Sequence, residues 1–158
     1  MIANLSNLMR TKEFKAELIQ HLIAMQEAAI AHAQKAMDEA QEEANNYGAP
    51  KDRYDGFRNQ QLRKKDMYAK QLSQAMQYLD LLKRPEINKP QKEVGFGALI
   101  QTDTDLFFIA VGLGILQFKD EDVIVISMLV PIYHAMKTRK TGDSFSFNNK
   151  QYKILQII

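Results

Sequence analysis

Mostly apolar residues recur with helical spacing on both sides of one interruption in the first half of the chain, and the series weakens near the interruption, where Gln61 and Lys64 take core positions. Before the interruption, the recurring positions are Leu18, Leu22, Met25, Ala29, His32, Ala36 and Ala40. After it, they are Tyr54, Phe57, Gln61, Lys64, Tyr68, Leu72, Ala75, Leu79 and Leu82. Steps of three and four residues place each series on one stripe of a helix, so the pattern predicts two long helices that pack along a shared seam.

The interruption is the segment 45–53, with the sequence Asn-Asn-Tyr-Gly-Ala-Pro-Lys-Asp-Arg. Gly48 suits the left-handed conformation that ends a helix, and Pro50 lacks the N–H that a continuing helix needs. The chain is therefore expected to turn here and return. This predicts an antiparallel coiled-coil hairpin over 1–86, with its tip at 45–53, a first helix from about Thr11 and a second that ends near Leu82.

The apolar period changes after a polar linker at 87–93. Short β-branched and aromatic runs, separated by turn residues, are typical of strands, and Pro131 suits the first turn of a short helix. The runs predict strands at 94–100, 106–111, 123–127, 144–148 and 151–158. The expected class is α+β, in which a small antiparallel sheet with one short helix occupies 94–158.

Composition excludes several classes of protein. The 21 basic residues nearly balance the 19 acidic ones, and a formal net charge of +2 gives no reason to expect nucleic-acid or membrane-surface binding. The chain has no cysteine, so disulfides and thiolate chemistry are excluded. Residues 1–10 lack the pattern of a signal peptide, and no apolar run reaches bilayer length, so we expect a soluble, cytoplasmic protein.

Charge is concentrated around the predicted tip. The end of the first helix carries Asp38, Glu39, Glu42 and Glu43, which lie at the unfavourable end of the helix dipole. The returning segment carries basic residues that could neutralise them across the hairpin, namely Lys51, Arg53, Arg58, Arg63, Lys64 and Lys65. Three interpretations remain open: mutual neutralisation, a charged probe that enters a cleft, or a metal site made by the four acids.

The segment 131–143, Pro-Ile-Tyr-His-Ala-Met-Lys-Thr-Arg-Lys-Thr-Gly-Asp, resembles a motif of the bacterial Gre transcript-cleavage and elongation factors. The shared features are the proline, the apolar and alanine positions, the basic pair and the Gly-Asp turn. The segments 124–127 and 148–157 are similar to strands of the same family. Two positions depart from its pattern, because Val130 stands where the family usually has serine and Thr138 where it usually has glycine.

This resemblance implies an FKBP-like C-terminal domain and a hairpin that enters the secondary channel of RNA polymerase. In cleaving members, an aspartate directly follows the tip glycine and a glutamate stands three positions later, and together they orient a magnesium ion in the polymerase. Here Ala49 follows Gly48, and Asp52 stands three positions on. A second register pairs Tyr54 and Asp55 with a Tyr-Asp step just after the family's acids, and in that register neither acid is securely matched. Weak or absent cleavage stimulation is expected, with at most a weak Mg²⁺ contact shared with the polymerase.

The resemblance therefore implies a non-enzymatic factor that binds RNA polymerase core, without a cofactor of its own, a membrane or sequence-specific DNA binding. Candidate contacts at the tip are Asp52, Asp55, Arg53 and Lys51, although Asp52 and Asp55 equally suit the first turn of the second helix. Candidate docking residues in the C-terminal domain are Leu129, Val130, Pro131 and Tyr133. The alternatives are a coiled-coil adaptor for another partner and, with less support, a prolyl isomerase.

Overall fold

The computed structural model describes residues 10–46 and 56–158. The chain folds into two compact units, one holding the residues through His21 together with Leu81–Ile158, the other Leu22–Asp80. The domain boundaries 1–86, 87–93 and 94–158 stay a prediction. The α+β class is confirmed: a long helical region precedes a six-stranded sheet and a short helix.

Two long helices, α1 (Lys12–Asn46) and α2 (Gly56–Leu82), form the helical region. Thr11 caps α1, since its Oγ1 accepts the Phe14 backbone N–H at 3.0 Å. In the second unit the helices run antiparallel. The ring centroids of His32 and Tyr68 lie 6.3 Å apart, and Lys65 Nζ donates to Gln41 Oε1 at 2.6 Å. The later residue on α1 thus faces the earlier residue on α2, as antiparallel helices require.

In part of the hairpin, the buried positions are displaced by about one residue from those that the apolar pattern predicts. Gln26, Ala33 and Ala44 are buried on α1, whereas Met25, Ala29 and His32 are exposed. On α2, Gln61 and Ala75 are buried as predicted, but Lys64 is exposed and Lys65 is half-buried. A straight helix has 3.6 residues per turn, so a seam extrapolated with a period of 3.5 drifts around the helix by about 20° per heptad.

The sheet belongs to the first unit and has the strand order β3-β4-β2-β1-β6-β5. Its strands are β1 (Leu99–Thr102), β2 (Leu106–Ile109), β3 (Gly114–Phe118), β4 (Glu121–Ile126), β5 (Ser144–Phe147) and β6 (Lys150–Ile157). The helix α3 (Pro131–Met136) connects β4 to β5 and carries proline in its first turn, as predicted. A 3-10 turn at Pro85–Asn88 follows α2.

The expectation of an antiparallel sheet is wrong at one pairing. β2 and β4 run parallel, with Phe107 opposite Ile124 and Ile109 opposite Ile126. The cause is the unpredicted strand β3, which takes the edge of the sheet and turns back through Lys119 and Asp120 at positive φ. Because the chain reverses direction between β3 and β4, β4 pairs with β2 and runs in the same direction as β2.

The core of the first unit is built on the sheet. β1 and β2 are buried along their whole length, and Phe107, Met136 and Ile154 belong to one apolar cluster with 0–1% of each residue exposed. Arg10, just before α1, donates to Glu121 Oε2 at 2.7 Å and to Gln101 Oε1 at 3.2 Å. The start of α1 is thereby attached to β4 and β1.

Candidate docking surface and charged hairpin

The predicted tip contacts Asp52, Asp55, Arg53 and Lys51 lie outside the described residues, as do Gly48 and Ala49. Their assignment to a polymerase or magnesium contact stays a prediction. The structure does describe the helical residues that precede and follow the tip, together with all four docking candidates of the C-terminal half.

The four docking candidates have two different environments. Leu129 is 86% exposed, and Pro131 is exposed as well. Val130 and Tyr133 are half-buried and pack against the apolar cluster of the sheet. Leu129 and Pro131 are therefore available to a partner, whereas Val130 and Tyr133 contribute mainly to the attachment of α3.

Local backbone contacts direct Leu129 outward. The Leu129 N–H donates to Ser127 Oγ at 3.2 Å, and the Tyr133 N–H donates to the Val130 carbonyl at 3.1 Å. Val130 takes the N-cap position of α3 without a side-chain hydrogen bond, because valine has no oxygen to offer. Val130 packs against the apolar cluster of the sheet without capping α3, and Leu129 remains on the surface.

An apolar cavity of about 390 Å³ lies beside Leu129. Its lining residues, which we call the Leu129 groove, are Leu81, Arg84, Phe96, Ala110, Ser127, Met128 and Leu129. Met128 is 43% exposed, so two large apolar side chains border the groove. Met128 directly precedes the docking candidate Leu129 in the sequence. Phe96, Leu81 and Arg84 could not be found from the sequence, because nothing in the local pattern places 81–84 or 96 next to the end of β4.

Gly97 fixes the backbone next to Phe96. It has a φ of +86°, its N–H donates to the Ile109 carbonyl at 2.7 Å, and a Cβ placed on it would lie 2.9 Å from the Ile87 Cα. Only glycine fits both the positive φ and this close approach without displacement of the backbone. Gly97 thus holds the segment that contributes Phe96 to the groove.

Thr138 has a φ of +65°, which is unusual for a β-branched residue. The segment is held by backbone pairing, since the Thr138 N–H donates to the Val94 carbonyl at 3.1 Å and the Val94 N–H donates to the Arg139 carbonyl at 2.8 Å. The resemblance predicts glycine at this position, and glycine adopts a positive φ without strain.

The acids at the end of α1 do not form one cluster. Asp38 Oδ1 accepts the Gln34 amide at 3.0 Å, and Glu39 lies 4.0 Å from Lys35 on the same helix. Glu39 and Glu43, but not Asp38 or Glu42, line a small pocket between α1 and α2. Within 10–46 and 56–158, the ion pairs include none between these acids and a basic residue of α2, so the predicted neutralisation across the hairpin is not made by direct contact there.

Two further kinds of site can be assessed in the described part of the chain. It contains no group of three or more histidine, aspartate or glutamate residues placed to hold a metal ion. His21 and His32 make ring contacts instead, with Phe118 and Tyr68 respectively. None of the described helices is long and apolar enough to cross a membrane.

No protein-family model matches the chain, and the comparison with curated proteins found no match. Among solved structures, it is similar to the crystal structure of GreA factor homolog 1 (Gfh1) of Thermus thermophilus, with 12% sequence identity over 89% of this chain and 94% of the other. The TM-score is 0.34. That similarity is too low to carry an argument about function.

Proposed function

We propose that this protein is a Gre-like factor that binds RNA polymerase core and acts through the secondary channel. The proposal rests on the presence in one chain of an antiparallel helical pair and an α+β unit with the 131–143 motif. The globular part, proposed to be FKBP-like, docks on the polymerase, and the hairpin enters the channel. The factor is proposed to be cytoplasmic, non-enzymatic and without a cofactor of its own.

The observation that carries the docking step is the exposure of Leu129. A leucine that is 86% exposed at the edge of an apolar cavity leaves hydrocarbon surface in water, and a partner can bury it. Met128 and Phe96 extend this apolar surface, and Arg84 adds a cationic group at the groove. An apolar centre with a charged border is typical of a protein interface.

The effect of removing this side chain can be estimated from its burial in a complex. Full burial of a leucine side chain contributes about 1.5–3 kcal/mol, which corresponds to roughly a 10- to 100-fold change in affinity. Leu129→Ser is therefore expected to weaken binding to the polymerase core by about that factor. Because Leu129 is exposed in the free protein, the variant should keep its unfolding midpoint.

Ile115→Ser is the matched control. Ile115 is 69% exposed, but it lies on the edge strand β3 and does not line the Leu129 groove. Affinity for the polymerase core of the same host, measured by titration of a labelled protein, should change less than about two-fold in this control. Equal losses in both variants, or none in Leu129→Ser, would contradict docking through the groove.

Weak or absent cleavage stimulation is proposed because Ala49 takes the place of the first tip carboxylate of the cleaving members. Stalled elongation complexes with Mg²⁺ test this, with wild type, Ala49→Asp and Ala49→Asn compared. Cleavage with Ala49→Asp alone is the expected result, since only the aspartate adds a carboxylate for the metal. Cleavage with the wild-type protein would show that Asp52 and its neighbours suffice, and would overturn the proposal of a non-cleaving tip.

A coiled-coil adaptor is the second candidate, and exposed apolar residues on the hairpin favour it. Phe57, Met67 and Met76 on α2 are 43%, 47% and 52% exposed, and each could pack against a partner helix. An adaptor that uses the helix flank would lose its partner in Met67→Ser and Met76→Ser but would bind normally in Leu129→Ser. The polymerase proposal expects the larger loss in Leu129→Ser.

A further inference from the structure

The Leu129 groove is large enough to hold a small molecule. Its volume of about 390 Å³ lies within the usual range of ligand sites, roughly 300–1,000 Å³. An apolar cavity of about 150 Å³ already accommodates benzene. The groove can therefore take an apolar body larger than one aromatic ring. Its apolar lining residues all belong to the first unit and are Leu81, Phe96, Ala110, Met128 and Leu129.

Parts of the groove wall are fixed in the free protein. Ala110 is 4% exposed, and its N–H donates to the Ile126 carbonyl of β4 at 2.8 Å. Phe96 directly precedes Gly97, whose N–H donates to the Ile109 carbonyl of β2 at 2.7 Å. Because backbone pairing with the sheet holds both segments, a ligand meets surfaces already in place and little affinity is lost in ordering them.

The two polar residues of the groove are hydrogen-bond donors. Arg84 is exposed and carries a positive charge, and no acidic residue lines the groove. Ser127 Oγ accepts the Leu129 N–H at 3.2 Å, which leaves the hydroxyl hydrogen free to donate. Glu86 follows Arg84 closely in sequence, but within 10–46 and 56–158 no ion pair joins the two. The charge of the groove therefore complements an anion.

These features favour one chemical class of ligand. A nucleotide or a sugar needs many polar partners, and the groove offers only two polar side chains. An uncharged hydrocarbon would use the apolar lining but not the guanidinium. A carboxylate with an apolar tail uses both, because its two oxygens match the fork of an arginine and its tail leaves water.

We propose that the Leu129 groove binds a free amphipathic carboxylate, such as a medium-chain fatty acid. The carboxylate contacts Arg84 and Ser127, and the tail lies against the apolar side chains of the groove. A dissociation constant of about 10⁻⁴–10⁻³ M is expected, since a ligand of this size gains a modest free energy. Such a ligand would compete with docking on the polymerase, and this consequence rests on the proposed function.

The test titrates octanoate into the full-length protein, labelled with ¹³C in its methionine methyl groups and observed by NMR. Met128 lines the groove and is 43% exposed, whereas Met67 and Met76 on α2 are 47% and 52% exposed and lie outside it. The three side chains are thus matched in exposure and differ in position. Octanoate should shift the Met128 signal saturably and leave the Met67 and Met76 signals unchanged.

Two matched ligands separate the contribution of the head from that of the tail. Octan-1-ol has the same tail without a charge and should bind about five-fold more weakly. Propionate keeps the carboxylate but should give no measurable shift, because each buried methylene that is lost lowers the affinity by about four-fold.

Lys92→Gln is the control for Arg84→Gln. Both residues are exposed cations of the first unit, but Lys92 does not line the groove. Arg84→Gln should weaken octanoate binding by about five-fold, as expected for a charge pair that is partly open to water. Lys92→Gln should change the affinity less than about two-fold.

Several results would overturn the site. Equal shifts at Met67, Met76 and Met128 would show that octanoate coats exposed apolar side chains in general. Equal affinities for octanoate and octan-1-ol, or equal losses in Arg84→Gln and Lys92→Gln, would show that the carboxylate is not recognised. Absence of a saturable Met128 shift well above the expected dissociation constant would also refute the site.

Competition is measured separately, with labelled protein and the polymerase core of the same host. Octanoate at about ten times its dissociation constant should weaken docking by about ten-fold, whereas propionate at the same concentration, which controls for ionic strength, should not. Unchanged docking in the presence of bound octanoate would overturn the competition. Failure of the protein to bind the polymerase would contradict the proposed function and with it the competition, while the methyl titration would still decide the carboxylate site.

Discussion

Lys15 carries a positive charge at a position that water hardly reaches. Only 1% of the residue is exposed, and its Nζ donates to the main-chain oxygens of Lys89 at 3.0 Å and Ile158 at 3.2 Å. Burial disfavours the charged form and lowers the pKa of Lys15 from 10.5 to about 8. The folded protein therefore releases this proton at a lower pH than the unfolded chain does.

The sign of the effect on stability follows from that difference. Between about pH 8 and pH 10.5 the unfolded chain still holds the proton that the folded protein has lost, so the free energy of unfolding rises with pH. A shift of this size corresponds to about 3 kcal/mol, at roughly 1.4 kcal/mol per pKa unit. Below pH 8 Lys15 is charged in both the folded and the unfolded state, so the full free-energy cost of burying its charge is present. Above pH 10.5 Lys15 is neutral in both states, and this cost is absent.

The assay compares denaturant unfolding of wild type and Lys15→Met at pH 7, 8, 9 and 10. The wild type should gain stability relative to the variant over this range, by about 2–3 kcal/mol, because the two proteins differ in ionisable groups only at position 15. Lys12→Met is the control, since Lys12 lies on the same helix and is exposed. Parallel pH profiles for wild type and Lys15→Met would show that Lys15 is not buried as a charged group in the folded protein.

Two substitutions test backbone positions with positive φ by the same unfolding assay. Thr138→Gly should stabilise the protein by about 0.5–1 kcal/mol, because it relieves a positive φ at a β-branched residue. The control Thr141→Gly, at a position with ordinary φ, should not stabilise it. A loss of stability in Thr138→Gly would contradict the inference that the backbone is strained at Thr138. Gly97→Ala should destabilise by about 2–4 kcal/mol, from the positive φ and the contact with the Ile87 backbone. Gly95→Ala, where a Cβ meets nothing within 4 Å, should have a small effect, and similar losses in the two alanine variants would contradict the close approach at Gly97.

The elements with strong local signals could be predicted from the sequence. The Thr11 cap, the end of α2 at Leu82 and the start of α3 at Pro131 depend on residues within one helical turn, and each lies where it was expected. The β1–β2 and β5–β6 hairpins were also predicted, because each pair of apolar runs is joined by a short turn.

The remaining features depend on contacts between distant residues. β3 is an edge strand whose Ile115 faces solvent, so its apolar residues do not alternate as a half-buried strand requires. Gly112 before the strand and Gly114 at its first position indicated a break. The parallel pairing of β2 and β4 follows from that missed strand. Lys15 stands beside Phe14 in an ordinary amphipathic helix, and no local pattern shows that distant oxygens at 89 and 158 receive its charge.

The candidate sites divide in the same way. Gln61 was recognised as a core position from its place in the seam, and Leu129 from its place before Pro131. Their neighbours were not recognised, since the Leu129 groove is lined by residues near 81, 96, 110 and 128, and the small pocket that Gln61 lines lies between two helices. Residues that come together only in the tertiary structure have no characteristic spacing in the sequence, so a sequence pattern does not identify them.

Binding of the wild-type protein to the RNA polymerase core of its own host is the most direct test of the proposed function. Size-exclusion chromatography of the labelled protein, with and without core enzyme, shows whether the two co-migrate, and Leu129→Ser in the same experiment shows whether the groove is used. Co-migration of wild type, reduced in Leu129→Ser and kept in Ile115→Ser, is the expected result. Failure of the wild-type protein to co-migrate at micromolar concentrations would contradict its assignment as a polymerase-binding factor.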